Sequence, residues 1–217
     1  MVLSGSAMWP EPTQTQQLLA SAKAGNAEAV NGLLERHREA LRRMIDLRMD
    51  RALARRVDAS DIVQDVLVEA NRRLEEYLNN PVMPFHLWLR HMARDRLIDA
   101  HRRHRVAARR SLDREQPLVA PRQLDRSSVD LIAELSDQEL TPAAAATLHE
   151  LERRFQAALE ELDAQDREVV LMRHFEQLSN SEVAQALGLT EPAAGMRYLR
   201  AMRRLRAKFN EAEETGS

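Results

Sequence analysis

The sequence predicts an all-α protein built as two small helical domains joined by an acidic flexible linker. The second domain is expected to be a four-helix module ending in a helix-turn-helix. Apolar residues recur at steps of three and four through most of the 217 residues, with no sustained alternation. Ala, Leu, Arg and Glu dominate, while glycines number 6 and aromatics make up 4%, a composition suited to helices. The stretch 111–142 interrupts the period: prolines stand at 117, 121 and 142, and seven acids (Asp113, Glu115, Asp125, Asp130, Glu134, Asp137, Glu139) face three arginines.

Hydrophobic residues at 44% and charged residues at 30% are ordinary for a globular chain. The net charge of −2 cannot hold the protein on nucleic acid, so any such binding must come from local patches. There is no cysteine, which excludes disulfides and thiolate metal sites. No apolar run has the length of a membrane span. The N-terminus lacks a positive n-region and an apolar core. A cytoplasmic protein without membrane insertion, and without a cofactor or metal, is expected.

Residues 1–13 are rich in Ser, Gly and Pro and are expected to form a disordered tail. The first domain is expected over 14–110. Leu18, Leu19 and Ala22 begin a short helix that breaks at Gly25-Asn26. Asn26 can cap a long helix expected to run from Ala27 to Leu53. Asp58 or Ser60 then caps a helix with two distinct faces. Ile62, Val63, Val66, Leu67, Ala70 and Leu74 share one side. Asp61, Gln64, Asp65 and Glu69 share the other, which is either plain solvated surface or a docking face for a partner. Asn79–Pro84 holds two prolines and two asparagines and breaks the helix. From Phe85 to about Arg110 the period returns in a basic helix, where eight arginines, among them Arg90, Arg94, Arg102, Arg103 and Arg105, oppose Asp95 and Asp99. Trp88 shares a face with Phe85 and Leu89 and reads as core rather than as a base-stacking residue.

The linker is expected over 111–142, with a short helical turn at Val129–Leu135. The second domain is expected over 143–210, followed by a tail over 211–217. Helices are expected at Leu148–Leu162 and Asp163–Gln177, the latter burying Val169, Val170, Met172 and Phe175. Ser179–Ser181 supplies N-cap residues for a short helix that Gly188 ends, since glycine takes the left-handed conformation at little cost. Thr190 can cap the next helix, with Pro192 in its first turn. Gly195–Lys208 carries five arginines and a lysine, no acid, and one apolar stripe. A cationic second helix in this motif is the usual reader of the major groove.

Several runs together resemble one family. Asp58-Ala59-Ser60-Asp61-Ile62-Val63-Gln64-Asp65-Val66 is similar to the D-A-x-D-L-V-Q-E-V stretch of bacterial extracytoplasmic-function (group 4) RNA polymerase sigma factors. Phe85-His86-Leu87-Trp88-Leu89 with Ala93-Arg94-Asp95 resembles their F-x-x-W-L…A-R-N segment. Leu162…Arg167-Glu168-Val169…Leu171…Arg173 and Leu178-Ser179…Glu182-Val183-Ala184…Leu187-Gly188 resemble their second-domain motifs. The four cover most of residues 14–208, and some details resemble the planctomycete-type members. The resemblance implies a sigma factor that binds core RNA polymerase and directs promoter recognition, DNA melting and initiation. Its region 2 would bind the β′ clamp helices through Asp61, Gln64, Asp65 and Glu69. The minus-ten contacts would be Asn79, Asn80, Met83, Arg90, Arg94, Arg102, Arg103 and Arg105. Its region 4, meeting the β flap, would read the minus-thirty-five element through Met196, Arg197, Arg200, Arg203 and Arg204. An anti-sigma factor is a further partner common in the family.

Two features depart from the family pattern: Ala194-Gly195, where a β-branched residue and a cation are common, and the long acidic linker. Gly195 offers no side chain to a base. An enzyme is a poor alternative, since Asp95, Asp99 and the histidines at 91, 101 and 104 come without a phosphate loop or nucleophile motif, and His101 with His104 is too few ligands for zinc. A stand-alone helix-turn-helix regulator would explain Leu178–Lys208 but not the second basic helix.

Overall fold

Polar side chains written into the sequence delimit the helices. In the computed structural model, which describes residues 8–110, 131–132, 134–135 and 145–214, Glu11, Asn26, Asp50, Asp58, Asp163 and Ser179 each accept hydrogen bonds from first-turn backbone N–H groups. The side chains of residues 51, 105–110, 145–149 and 212–214 lie outside that description. The described residues divide into two compact units, 8–110 and 131–214, both helical.

The first unit comprises α1 (Pro12–Lys23), α2 (Ala27–Asp46), α3 (Arg51–Ala54), α4 (Ala59–Asn79) and α5 (Phe85–Arg110). Helix α2 packs against α1, α4 and α5, burying Leu33, Leu41, Met44 and Ile45 against Val63, Val66, Leu87 and Leu89 of the common core. Two expectations are corrected here. The tail does not extend to residue 13: Trp9 is buried with its ring 5.6 Å from His86, and Glu11 caps α1. Nor does one helix run from Ala27 to Leu53. It stops at Asp46, and Asp50 starts α3 afresh by accepting from the Leu53 N–H at 2.7 Å. An aspartate competes for backbone donors in this way and so favours a new cap over a continuous helix.

The second unit comprises α6 (Ala145–Glu161), α7 (Ala164–Val170) running into a π-helical turn at Leu171–Phe175, α8 (Asn180–Leu187) and α9 (Glu191–Glu214). The helix expected over Asp163–Gln177 thus widens in its last turn. Gln177 then takes φ 56, the Leu178 N–H reaches Met172 O at 3.0 Å, and Arg173 donates to Leu178 O. Part of the expected linker is packed: Leu131, Ile132 and Leu135 are buried, and Arg206 of α9 donates to Glu134 O at 2.8 Å. The other linker residues lie outside the described ones.

One buried titratable group couples the first unit to pH. His37 of α2 is 1% exposed, its Nδ1 lies 2.8 Å from Leu33 O, and the edge of Phe85 faces it at 5.1 Å. Burial lowers its pKa to about 4; the Leu33 carbonyl opposes that shift, and the nearby His86 and Arg36 charges add to it. The unfolded chain therefore binds a proton that the folded one refuses between the ordinary value of 6.5 and about 4. Stability is full above this window and falls as pH drops through it, by on the order of 3 kcal/mol. His37→Gln is expected to flatten that part of the pH profile, as measured by urea unfolding across the window.

Candidate polymerase and nucleic-acid interfaces

Helix α4 sorts its side chains by chemistry. Ile62, Val63, Val66, Leu67, Ala70 and Leu74 are buried, whereas Asp61, Gln64 and Asp65 are exposed. Glu69 is half-buried and lies 3.5 Å from Arg96 of α5 and 4.0 Å from Arg73. Through Arg96 it links α4 to α5 at the border of the polar face. Beside Gln64 a groove of about 870 Å³ runs between α2 and α4, lined by Leu34, Glu35, Arg38, Leu67 and Val68 among others. Val68 is 46% exposed. The sequence reading passed over it, although an apolar residue placed off the buried stripe is the signal that marks it.

The α4–α5 loop rests on aromatic rings. Tyr77 sits 4.7 Å from Trp88 and 5.3 Å from Phe85, and its hydroxyl donates to Met83 O at 2.9 Å. Trp88 is buried at 9% exposure, so it is core. Asn79 and Asn80 are exposed, Met83 is half-buried, and Val82 at the loop is 64% exposed. Of the basic residues on α5, Arg94, Arg102 and Arg103 are exposed. Arg102 lies 3.1 Å from Asp99, and Arg103 donates to Asp99 O at 3.4 Å. The side chain of Arg105 is outside the described residues. Arg90 is a correction: it is 0% exposed, on a helix that packs against both α2 and α4, so its guanidinium cannot face a phosphate.

In the second unit, Ser179 and Glu182 form a reciprocal capping box at α8, with Ser179 Oγ accepting at 3.2 Å and Glu182 Oε2 accepting at 2.7 Å. Gly188 ends α8 at φ 64, and Thr190 Oγ1 accepts from the Ala193 N–H at 3.4 Å as α9 begins. A Cβ at Gly195 would come within 3.3 Å of Nδ2 of the exposed Asn180 side chain, a tight contact that a small shift of that side chain would relieve. Along α9, Ala194, Ala201, Leu205 and Phe209 are buried. Met196, Arg200 and Arg203 are exposed and Arg197 is half-buried. Arg204 donates to Asp163 Oδ2 at 3.1 Å and to Oδ2 of the buried Asp166, which braces α9 on the start of α7 while 59% of its side chain stays exposed. Leu199, absent from the sequence reading, is 51% exposed beside Met196. Tyr198 is half-buried beneath the Arg173 guanidinium, 5.4 Å from the ring centroid. Burial, then the Glu134 charge, raise the pKa of its hydroxyl, and Arg173 partly offsets them.

Residues 33–106 match Sigma-70 region 2 and residues 152–205 match Sigma-70, region 4, together more than half of the chain. The chain belongs to the sigma-70 family of sigma factors. It directs promoter-specific transcription initiation, a role in which sigma factors are non-catalytic partners of RNA polymerase. Its relatives support assignment to the extracytoplasmic-function type. RNA polymerase sigma factor CnrH of Cupriavidus metallidurans is 28% identical over 203 residues, covering 91% of this chain and 95% of that one. RNA polymerase sigma factor NccH of Alcaligenes xylosoxydans xylosoxydans is 25% identical over 214 residues, covering 94% and 98%. The structure of CnrH in complex with the cytosolic domain of CnrY shares the fold, with TM-score 0.55 and 24% identity over 94% of this chain and 99% of that one. The presence of region 2 removes the stand-alone regulator as an alternative for this sigma factor. Among the described residues, no group of three or more His, Asp or Glu side chains is arranged to hold a metal, and no helix is long and apolar enough to cross a membrane.

The buried and braced arginines separate stability from DNA binding. Arg90→Ala and Arg204→Ala are each expected to lower stability by about 1–3 kcal/mol, since each removes a cation that serves the protein interior or a buried carboxylate. Arg94→Ala and Arg200→Ala, at exposed positions, should stay within about 0.5 kcal/mol of wild type. Urea unfolding of the four variants checks both statements.

Proposed function

We propose that this sigma factor, of group 4, docks its first unit on the clamp helices of the polymerase β′ subunit through the exposed face of α4. The observation that carries this reading is the sorting of α4: Asp61, Gln64 and Asp65 stand in solvent beside the α2–α4 groove, on a helix whose opposite side is sealed into the core. An acidic edge next to a groove of mixed polar and apolar lining suits a basic helical partner, with charge steering the encounter and Leu34, Leu67 and Val68 supplying apolar contact area. Residues 14–110, with Trp9 and Glu11 added, serve as region 2, residues 143–210 as region 4, and 111–142 as the connection through the polymerase.

The α4–α5 loop then holds an unpaired base of the minus-ten element. Its stiff backbone over the Tyr77–Trp88 cluster supports a pocket, and Arg94, Arg102 and Arg103 offer phosphate contacts. Helix α9 enters the major groove of the minus-thirty-five element with Met196, Arg197, Arg200 and Arg203, while the second unit meets the β flap. CnrH was solved with the cytosolic domain of CnrY, and an anti-sigma factor is a corresponding partner here. The work is done in the cytoplasm, where the polymerase is.

Asp61→Lys with Asp65→Lys is expected to abolish binding to core polymerase while helicity by circular dichroism is retained; undiminished affinity would remove the clamp assignment. Replacing 79–84 with a Gly-Ser segment should leave closed-complex affinity near wild type and reduce permanganate reactivity of promoter thymines.

A further inference from the structure

We infer that Met196 and Leu199 form an apolar reading surface on α9 that recognises the C5 methyl groups of thymine, making thymine contacts a determinant of minus-thirty-five specificity. This rests on the reading that α9 occupies the major groove. Met196 is 55% and Leu199 51% exposed, and they are two of the few large apolar side chains in the described residues left in solvent. Three residues apart on a helix, they are neighbours on one face. That face lies opposite the buried stripe of Ala194, Ala201 and Leu205. With Pro192, Gly195 and Asn180 they line a shallow concavity of about 480 Å³ at the start of α9.

The surroundings identify the occupant. Exposed Arg200 and Arg203 follow on the same face, one and two turns further along, so the concavity opens onto a cationic surface suited to a phosphate backbone. Within the concavity the chemistry changes: it is apolar, and Glu191 at its edge repels phosphate. A base edge therefore fits there better than the backbone does. Among the groups on the floor of the major groove, only the thymine methyl is apolar. Gly195 contributes by leaving no side chain beside Asn180, so the motif reads here with apolar side chains one and four residues further along.

The test uses holoenzyme assembled from the full chain and core polymerase. The preferred minus-thirty-five sequence is first selected from a randomised promoter pool. Each thymine in it is then replaced singly by deoxyuridine, which removes the methyl alone. At least one replacement is expected to weaken closed-complex binding about fourfold, the equivalent of withdrawing one buried methyl-sized group. Met196→Ala with Leu199→Ala should bind thymine and uracil promoters alike, whereas Met196→Leu should keep the preference. Wild-type holoenzyme indifferent to every replacement overturns the inference while leaving the promoter-reading role intact. Selection of no minus-thirty-five element overturns that role and the inference with it. If the double alanine variant is folded but loses affinity for core polymerase, the surface is a protein contact and the inference fails.

Discussion

Burial of Ala194, Ala201, Leu205 and Phe209 along one stripe of α9 is the constraint on which the second unit depends. Helix α9 packs against α6, α7 and α8 through that stripe. Once the stripe is fixed, the rotation of the helix is fixed, and with it the direction of every cation. Arg204 falls on the flank that meets Asp163 and Asp166, and Arg206 on the flank that meets Glu134 O. Lys208 is drawn to Glu161 at 2.7 Å. Met196, Leu199, Arg200 and Arg203 remain outward. A helix that looks uniformly basic in sequence is thus divided into braces and a free face.

The same logic governs the first unit. The apolar side of α4 is held against α2 and α5, so Asp61, Gln64 and Asp65 have only solvent or a partner to meet. At its far end the helix hands over to a cluster of His37, Tyr77, Phe85 and Trp88, with ring centroids 4.7 to 5.5 Å apart. The Tyr77 hydroxyl anchors the loop to that cluster through Met83 O. A segment unable to form a helix is thereby kept in one place by rings beneath it. The arrangement gives a rigid support for an irregular, exposed backbone.

The sequence by itself determined the helical class, the positions of most helix starts and the turn of the helix-turn-helix. These are short-range matters. A cap acts within three residues, a helical period within eight, and Gly188 within its own φ. The family resemblance carried by the motifs added region 2, region 4 and the function. Tertiary structure decided which charged residues are free. Arg96 meets Glu69 across 27 residues, Arg204 meets Asp163 across 41, and Arg206 meets Glu134 across 72. The burial of Arg90, the packing of Leu131, Ile132 and Leu135, and the approach of Gly195 to the Asn180 side chain belong to the same group. No local pattern encodes such pairings. They follow from which helix faces are brought together, and a solvated arginine and a braced one are the same letter until the chain has folded.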